Sequence, residues 1–322
     1  MPVPSHRHSS TRSSRGKGSE SGPNEGPRGT VSFEFFPPKG FSAERGLLTC
    51  AHAMRRLEPA FQTVTFGAGG SAIEDGLTWP HQLQGLTETP TAAHVTLVRF
   101  ADRAAFAEHL SALWEKGIAR LVLLRGDPVE GETPKNAGFT SVAEAVAFAK
   151  ALHGFDISVA AYPETHPKAQ SARSDMDALL SKQAAGADRA ITQFFFHNAD
   201  FYAFRDRAVA ADVTIPIVPG IIPVYGFERI VKFAAACGAA IPDDMANRFA
   251  ACGDDRHAQT ELARGLIEAQ VTDLARNGVE AIHIYTLNRS DIAADAVRAF
   301  RAALEGQQQP KLPNVRSFAL AG

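Results

Sequence analysis

The feature that most constrains this chain is a recurrence of eight short runs rich in β-branched, aromatic and aliphatic residues, at 31–36, 61–66, 94–98, 121–124, 157–162, 190–195, 215–219 and 281–287. Nearly continuous apolar content marks strands covered on both faces, as the strands of parallel sheets are. Helical patterns separate them. Residues 141–152 read as an amphipathic helix opened by a Ser-x-x-Glu box (Ser141, Glu144), with Val142, Val146 and Phe148 as its apolar positions. Segments 175–185 and 200–210 are similar, and Gly154, Gly186 and Gly278 stand where helices should stop. Eight strand-then-helix units over about 275 residues match the α/β class and the size of a (β/α)8 TIM barrel. A doubly wound open sheet would need a G-x-G-x-x-G turn after its first strand to hold a dinucleotide. Here that strand runs into Pro37-Pro38-Lys39-Gly40 instead. The seventh unit is enlarged, since 226–237, 242–252 and 255–277 all read as helices before the eighth strand.

The barrel is expected over 30–305, between two weakly organised ends. Residues 1–29 are rich in Ser, Arg, His, Gly and Pro, and so poor in apolar side chains that burial could not offset their ordering entropy. They resemble a transit peptide in composition but lack its apolar face. Residues 306–322, with Gln307-Gln308-Gln309-Pro310, should be loosely held. A formal net charge of -2 gives no reason to expect a nucleic-acid partner, and no apolar run reaches the length of a membrane span. Cys50, Cys237 and Cys252 are widely separated and lack metal-ligand spacing. Reduced thiols in a cytoplasmic protein are the simpler reading, and no metal site is expected. Oligomeric state is left open, a homo-oligomer included.

In such barrels the reactive groups gather at the carboxyl ends of the strands. Strand one ends near Glu34, and strand two in Thr65-Phe66-Gly67-Ala68-Gly69-Gly70-Ser71, a loop rich in backbone N–H groups. Strand three begins with His94; strand four ends in Arg125-Gly126-Asp127-Pro128 and strand five in Tyr162-Pro163-Glu164-Thr165-His166. Strand six carries Gln193, and strand eight ends in Tyr285-Thr286-Leu287-Asn288-Arg289. Three phenylalanines surround Glu34 in sequence, which predicts a carboxyl pKa raised above its ordinary value of about 4.3 and an acid suited to donate a proton near neutrality. Pairing with a barrel Arg or Lys is the structural alternative. Asp127 could instead cap the next helix ahead of Pro128, and His94 taken alone reads as a hydrogen-bonded core histidine.

These segments, taken in order, resemble the methylenetetrahydrofolate reductase family. The matching pieces are Ser32-Phe33-Glu34-Phe35-Phe36-Pro37-Pro38, Val64-Thr65-Phe66-Gly67-Ala68, Leu124-Arg125-Gly126-Asp127, residues 157–163, Arg189-Ala190-Ile191-Thr192-Gln193-Phe194-Phe195-Phe196, Ile217-Val218-Pro219-Gly220 and Tyr285-Thr286-Leu287-Asn288-Arg289. The resemblance implies a barrel carrying FAD, reduced by NADH or NADPH, which then reduces 5,10-methylenetetrahydrofolate to 5-methyltetrahydrofolate. It implies that Glu34 is the proton donor for opening the folate's five-membered ring, and that Asp127 is a carboxylate between flavin and pterin. Thr65, Phe66, Ala68, His94, Arg125, Gly126, Asp127, Tyr162, His166, Ala169, Asp175 and Lys182 correspond to positions lining the flavin nucleotide. Gln193, Phe233, Leu287 and Arg289 correspond to the substrate side, with Asp127. Departures stand at Ala178 and Ser181, where relatives often place Asn and Arg against the FAD phosphates and ribose, at Phe139 for a frequent tyrosine, and at Arg229 for a glutamine. They keep two other readings in view: a flavin-free reductase with direct hydride transfer, and a non-catalytic folate- or nucleotide-binding regulator.

Overall fold

The computed structural model describes residues 29–65, 73–127 and 136–308. Eight parallel strands close into one barrel in sequence order: β1 (Thr30–Phe35), β2 (Phe61–Val64), β3 (Thr91–Thr96), β4 (Arg120–Leu124), β5 (Asp156–Ala161), β6 (Arg189–Phe194), β7 (Ile217–Ile221) and β8 (Ala281–Tyr285). Helices α1 (Phe41–Arg55), α2 (Ile73–Thr87), α3 (Arg103–Glu115), α4 (Val142–Leu152), α5 (Ala172–Ala184) and α6 (Asn198–Ala210) occupy the first six crossovers. The seventh holds α7 (Phe227–Cys237), α8 (Asp243–Cys252) and α9 (Arg256–Arg276), and α10 (Asp291–Gln308) follows β8. The enlarged seventh unit is therefore as the sequence indicates. Helix α10 continues past the expected boundary at 305, and the rest of both expected tails lies outside the described residues.

Two strands differ from the sequence reading in ways that have local causes. β3 begins at Thr91, so His94 is an interior residue of the strand, not its start. The small Thr91-Ala92-Ala93 segment gives no apolar signal, yet all three residues are buried and Ala92 and Ala93 pair with Arg120 and Leu121. β7 starts at Ile217, because Pro216 fixes its own φ and biases Ile215 away from regular pairing. Pro219, which has no N–H, interrupts the ladder to β6 between Ile191 and Phe194. The next amide, Gly220, donates to the Thr192 hydroxyl at 2.9 Å.

Period-two alternation decides what each strand offers to each side. Val31, Phe33 and Phe35 of β1 point outward into a core shared with Leu47, Cys50 and Met54 of α1 and Phe300 of α10. Ser32 and Glu34 point inward. The amino-terminal end of the barrel is closed by charge paired with charge: Asp156 meets Arg120 at 2.7 Å and Arg189 at 2.9 Å. Both guanidinium groups lie over the Phe61 ring, at 5.6 and 5.4 Å. Each of these residues opens its strand, so they form a floor under the barrel, leaving the opposite end for chemistry.

Gly220 is the tightest point of the wall. A Cβ there would come within 2.2 Å of the Thr192 carbonyl oxygen and 2.6 Å of the Tyr285 ring, whereas a Cβ on Gly265 in α9 would meet open space. Gly220→Ala should therefore destabilise the protein by about 2–4 kcal/mol through overpacking. Gly265→Ala should be neutral or stabilise by up to about 1 kcal/mol. Chemical denaturation of both variants checks this, and equal midpoints would show that the β6–β7 wall has room to spare.

Candidate active site

Glu34 sits at the carboxyl end of β1 inside the barrel, almost fully buried. Its Oε2 lies 3.3 Å from Nε2 of His94, which comes from β3, and 3.5 Å from Nε2 of His283, from β8. Behind them, His94 Nε2 is 3.2 Å from the Thr63 hydroxyl and His283 Nδ1 is 2.8 Å from the Ser32 hydroxyl. The sequence reading of Glu34 is corrected here. Burial by itself would raise its pKa, but the nearby imidazole of His94, with hydrogen bonding from His283 and His94, outweighs that and lowers it to about 2. The phenylalanines that suggested the opposite are sequence neighbours only; Phe33 and Phe35 face the outer core while Glu34 faces two histidines.

The backbone around Glu34 is clamped to the last strand. Its carbonyl accepts from both the Thr286 amide (3.0 Å) and the Thr286 hydroxyl (2.7 Å). Two residues on, the Asn288 side-chain amide donates to the Phe36 carbonyl and its oxygen accepts from the Phe36 N–H, each at 2.9 Å. Leu287 and Asn288 adopt left-handed backbone, φ 51° and 56°, to make this turn. Non-glycine residues adopt that conformation at a cost, and such strain gathers at sites where position matters. Thr65 braces the same strand end, its amide and hydroxyl reaching the Phe35 carbonyl at 2.9 and 3.3 Å.

A separate cavity of about 450 Å³ opens at the ends of β4 and β5. Arg125, Gly126, Asp127, Tyr162, His166, Ala169, Asp175 and Lys182 all line it, together with Lys168, Ser174 and Ala178. Lys182 donates to the Ala160 carbonyl at 2.6 Å, and burial lowers its pKa to about 8. Asp175 accepts from the His166 amide at 3.0 Å, and the His166 ring packs edge-on against Tyr162 at 4.4 Å. Asp127 stands at the rim, its side chain 82% exposed and paired with Lys168, whose hydrogen bond lowers the Asp127 pKa. The helix after β4 takes its cap from Ser141, not from Asp127. Gly126 has φ +79°, and a Cβ there would come within 2.9 Å of Thr96 and 2.7 Å of Val98. The buried Thr96 hydroxyl beside it has no hydrogen-bond partner among the described residues. Arg125, Lys168 and Lys182 together suit an anionic, nucleotide-sized guest.

The structure thus gathers most of the sequence-selected residues into two groups at the carboxyl end of the barrel. His94 belongs with Glu34 and does not line the cavity. Gln193 lies in β6 with its side-chain oxygen accepting from the Phe194 amide at 3.1 Å. Phe233 is a partly exposed residue of α7, Leu287 lies in the strained turn, and the Arg289 guanidinium stacks 4.0 Å over Tyr225. Phe66 and Ala68 lie outside the described residues. Sequence reasoning gave no role to His283, Lys168 or Tyr285, whose hydroxyl donates to the Thr192 carbonyl at 2.8 Å. A polar His283 inside an apolar strand, two residues from Tyr285, was the available signal for an inward-facing pair. Among the described residues no cluster of His, Cys, Asp or Glu could hold a metal ion, and no helix is long and apolar enough to cross a membrane.

The family model described as Methylenetetrahydrofolate reductase matches residues 23–300. The chain belongs to the methylenetetrahydrofolate reductase family. It is 38% identical over 264 residues to 5,10-methylenetetrahydrofolate reductase of Pectobacterium carotovorum subsp. carotovorum, covering 82% of this chain and 87% of the relative. It is 37% identical over 269 residues to that of Escherichia coli (strain K12), covering 82% and 88%. Methylenetetrahydrofolate reductase (NADH) 1 of Zea mays is 29% identical over 276 residues, a match spanning 81% of this chain and 46% of the plant protein. Among solved structures, an uncharacterized protein from Clostridium thermocellum that binds two copies of 5-methyl-5,6,7,8-tetrahydrofolic acid superposes with a TM-score of 0.60 at 13% identity, covering 86% of this chain and 96% of its own. That likeness is one of fold.

The Glu34 environment makes a prediction about acid. Its folded-state pKa of about 2 lies below the ordinary 4.5, so ionised Glu34 stabilises the fold fully above pH 4.5 and loses that contribution as pH falls towards 2. Glu34→Gln should flatten the dependence of unfolding free energy on pH between about 5 and 2. Parallel curves for variant and parent would mean that the imidazoles do not hold the charge.

Proposed function

We propose that this methylenetetrahydrofolate reductase works through FAD, with NADH or NADPH as the reductant and 5-methyltetrahydrofolate as the product. The observation that supports it is the presence, at one end of the barrel, of a cationic cavity and a buried carboxylate backed by two imidazoles. Arg125, Lys168 and Lys182 would hold the pyrophosphate, Gly126 would let the cofactor approach the backbone, and Tyr162, His166, Ala169 and Asp175 would line its nucleotide end. Bound FAD supplies hydride chemistry that no side chain can provide.

The remaining steps fall to the chain itself. Conversion of the 5,10-methylene bridge to a 5-methyl group requires the bond from the bridging carbon to N10 to break, so N10 must receive a proton. Glu34 is ionised in the ligand-free protein. Seating a pterin over it removes the water that solvates the carboxylate, and desolvation favours the neutral acid. Glu34 takes that proton up from solvent, with the His94 and His283 rings within 3.5 Å placed to relay it, and then passes it to N10. Ser32 fixes the His283 ring from the other side. Asp127, freed from Lys168, accepts hydrogen bonds from the pterin and stabilises the cationic iminium that ring opening leaves. Gln193 reads the pterin edge, and Phe233, Leu287 and Arg289 contact the rest of the folate. Three free cysteines, Cys50, Cys237 and Cys252, suit a cytoplasmic setting.

Three experiments test this. Purified protein should be yellow and bleach anaerobically with NADH or NADPH; a colourless protein that reduces methylenetetrahydrofolate without added FAD would favour direct hydride transfer instead, as Ala178 in the cavity wall would suggest. Lys182→Ala should weaken FAD binding about ten-fold or more, the worth of one charge-assisted hydrogen bond. Glu34→Gln should keep reduction by the nicotinamide nucleotide but slow folate reduction by about 100-fold or more, as loss of a general acid does. Folate turnover at the parental rate in that variant would remove Glu34 from the chemistry.

A further inference from the structure

The three cations that face the 450 Å³ cavity are held in different ways. Arg125 follows the end of β4, and Lys182 of α5 donates to the Ala160 carbonyl at 2.6 Å. Lys168 stands at the rim, its side chain 53% exposed, and its partner is another rim side chain, the Asp127 carboxylate. Both line the cavity, so the pair joins the loops after β4 and β5 at its edge. An ion pair this open to water contributes little to stability, and exchanging one partner for another costs little.

The main chain beneath each partner is pinned. The Lys168 amide donates to Nδ1 of His166 at 2.9 Å, the Ala169 amide donates to the His166 carbonyl at 2.8 Å, and the His166 amide donates to Asp175 at 3.0 Å. Pro167 lies so close under Gly238, the residue that ends α7, that a Cβ there would come within 2.4 Å of its ring. On the other side, the Arg125 carbonyl accepts from the Val98 amide at 3.1 Å, and Gly126 is wedged against Thr96 and Val98. Two fixed bases thus carry two exposed side chains that meet at the rim. A lysine can redirect its ammonium by side-chain rotation alone, with no movement of such a base.

We propose that Lys168 is a positioning residue with two partners: it holds Asp127 while the cavity is empty and turns to the cofactor's phosphates when they enter, which releases the Asp127 carboxylate to the pterin. The proposal rests on the reading of the cavity as the FAD site and of Asp127 as a pterin partner. Of the two acids that line the cavity, Asp175 is already bound to the His166 amide, so Asp127 is the one whose partner an anion would contest. A phosphate carries more charge and more acceptor oxygens than a carboxylate. It takes the ammonium, and its own charge repels the carboxylate left behind. The exchange gives the site an order. A folate entering the empty protein meets a neutralised pair, whereas one entering after the cofactor meets an ionised Asp127 ready to accept its hydrogen bonds. Cofactor and folate should then bind with positive coupling, each strengthening the other by the same factor.

The test is a double-mutant cycle on the full-length protein stripped of flavin: the parent, Asp127→Asn, Lys168→Met and the double variant, each titrated calorimetrically with FAD. Asp127→Asn should tighten FAD binding in both backgrounds, since it removes a like charge. The gain should be about two- to five-fold larger where Lys168 is present, the worth of one exposed ion pair at about 1.4 kcal/mol per factor of ten. Lys168→Arg should keep that excess, because the exchange needs only a cation of similar reach. A second titration adds 5-methyltetrahydrofolate with and without FAD. FAD should raise its affinity by a factor about two- to five-fold larger in the parent than in Lys168→Met. Equal gains from Asp127→Asn in the two backgrounds, a loss of FAD affinity on Asp127→Asn, or an equal effect of FAD on the folate in parent and Lys168→Met overturns the exchange and leaves the cofactor reading standing. Failure of the parent to bind FAD overturns the cofactor reading and the exchange with it.

Discussion

Everything at the mouth of this barrel depends on how its last strand meets its first. The Glu34 carbonyl takes two hydrogen bonds from Thr286, and Phe36 exchanges two with the Asn288 side chain. These bonds join segments more than 250 residues apart in sequence, so they form only when the whole sheet has closed. The same closure brings His283 to within 3.5 Å of the Glu34 carboxylate. Placement of the acid and completion of the fold are thus one event. The left-handed backbone at Leu287 and Asn288 is tolerated because the clamp over-determines it.

The two ends of the barrel treat charge in opposite ways, which explains why one is structural and the other chemical. At the floor, the partly buried Asp156 carboxylate is bracketed by the guanidinium groups of Arg120 and Arg189. At the mouth, Glu34 faces two imidazoles, His94 at 3.3 Å and His283 at 3.5 Å, and, among the described residues, no guanidinium. Removing Asp156 would leave two guanidinium groups facing each other at the floor, whereas Glu34 meets imidazoles that are themselves held by the Thr63 and Ser32 hydroxyls. Lys182 behaves similarly in the neighbouring cavity. Its ammonium is held against the Ala160 carbonyl with its pKa lowered to about 8, ready to gain from an anion what burial has taken away.

The architecture was legible because parallel strands covered on both sides leave a continuous apolar trace, and seven of the eight begin and end within about two residues of the trace. β3 was misjudged where Thr91, Ala92 and Ala93 are buried but small. Most of the residues that line the cavity were legible too, because they follow strand ends. What the sequence could not show was side-to-side company. Phe33 and Phe35 adjoin Glu34 in the chain but lie on the other face of β1, while His94 and His283 are distant in the chain and adjacent in space. The sign of the Glu34 shift turns on that difference alone. Lys168 escaped notice for a related reason: its value lies in reaching back to Asp127 across the cavity rim, a contact between the loops after β4 and β5.

The same logic bears on Ala178 and Ser181 beside the cavity. Ala178 does line the cavity, but the hydroxyl of Ser181 is spent on the Asp177 carbonyl of its own helix. The wall keeps its cations with an alanine and a serine at these two positions. Arg125 enters from β4, Lys168 from the loop after β5 and Lys182 from α5, so three separate elements still present positive charge to one space. A site built this way is less dependent on any one residue than a motif comparison suggests. Field strength in a concave, partly buried site sums over the charges that face it, and the position of each along the sequence matters less than the element that delivers it.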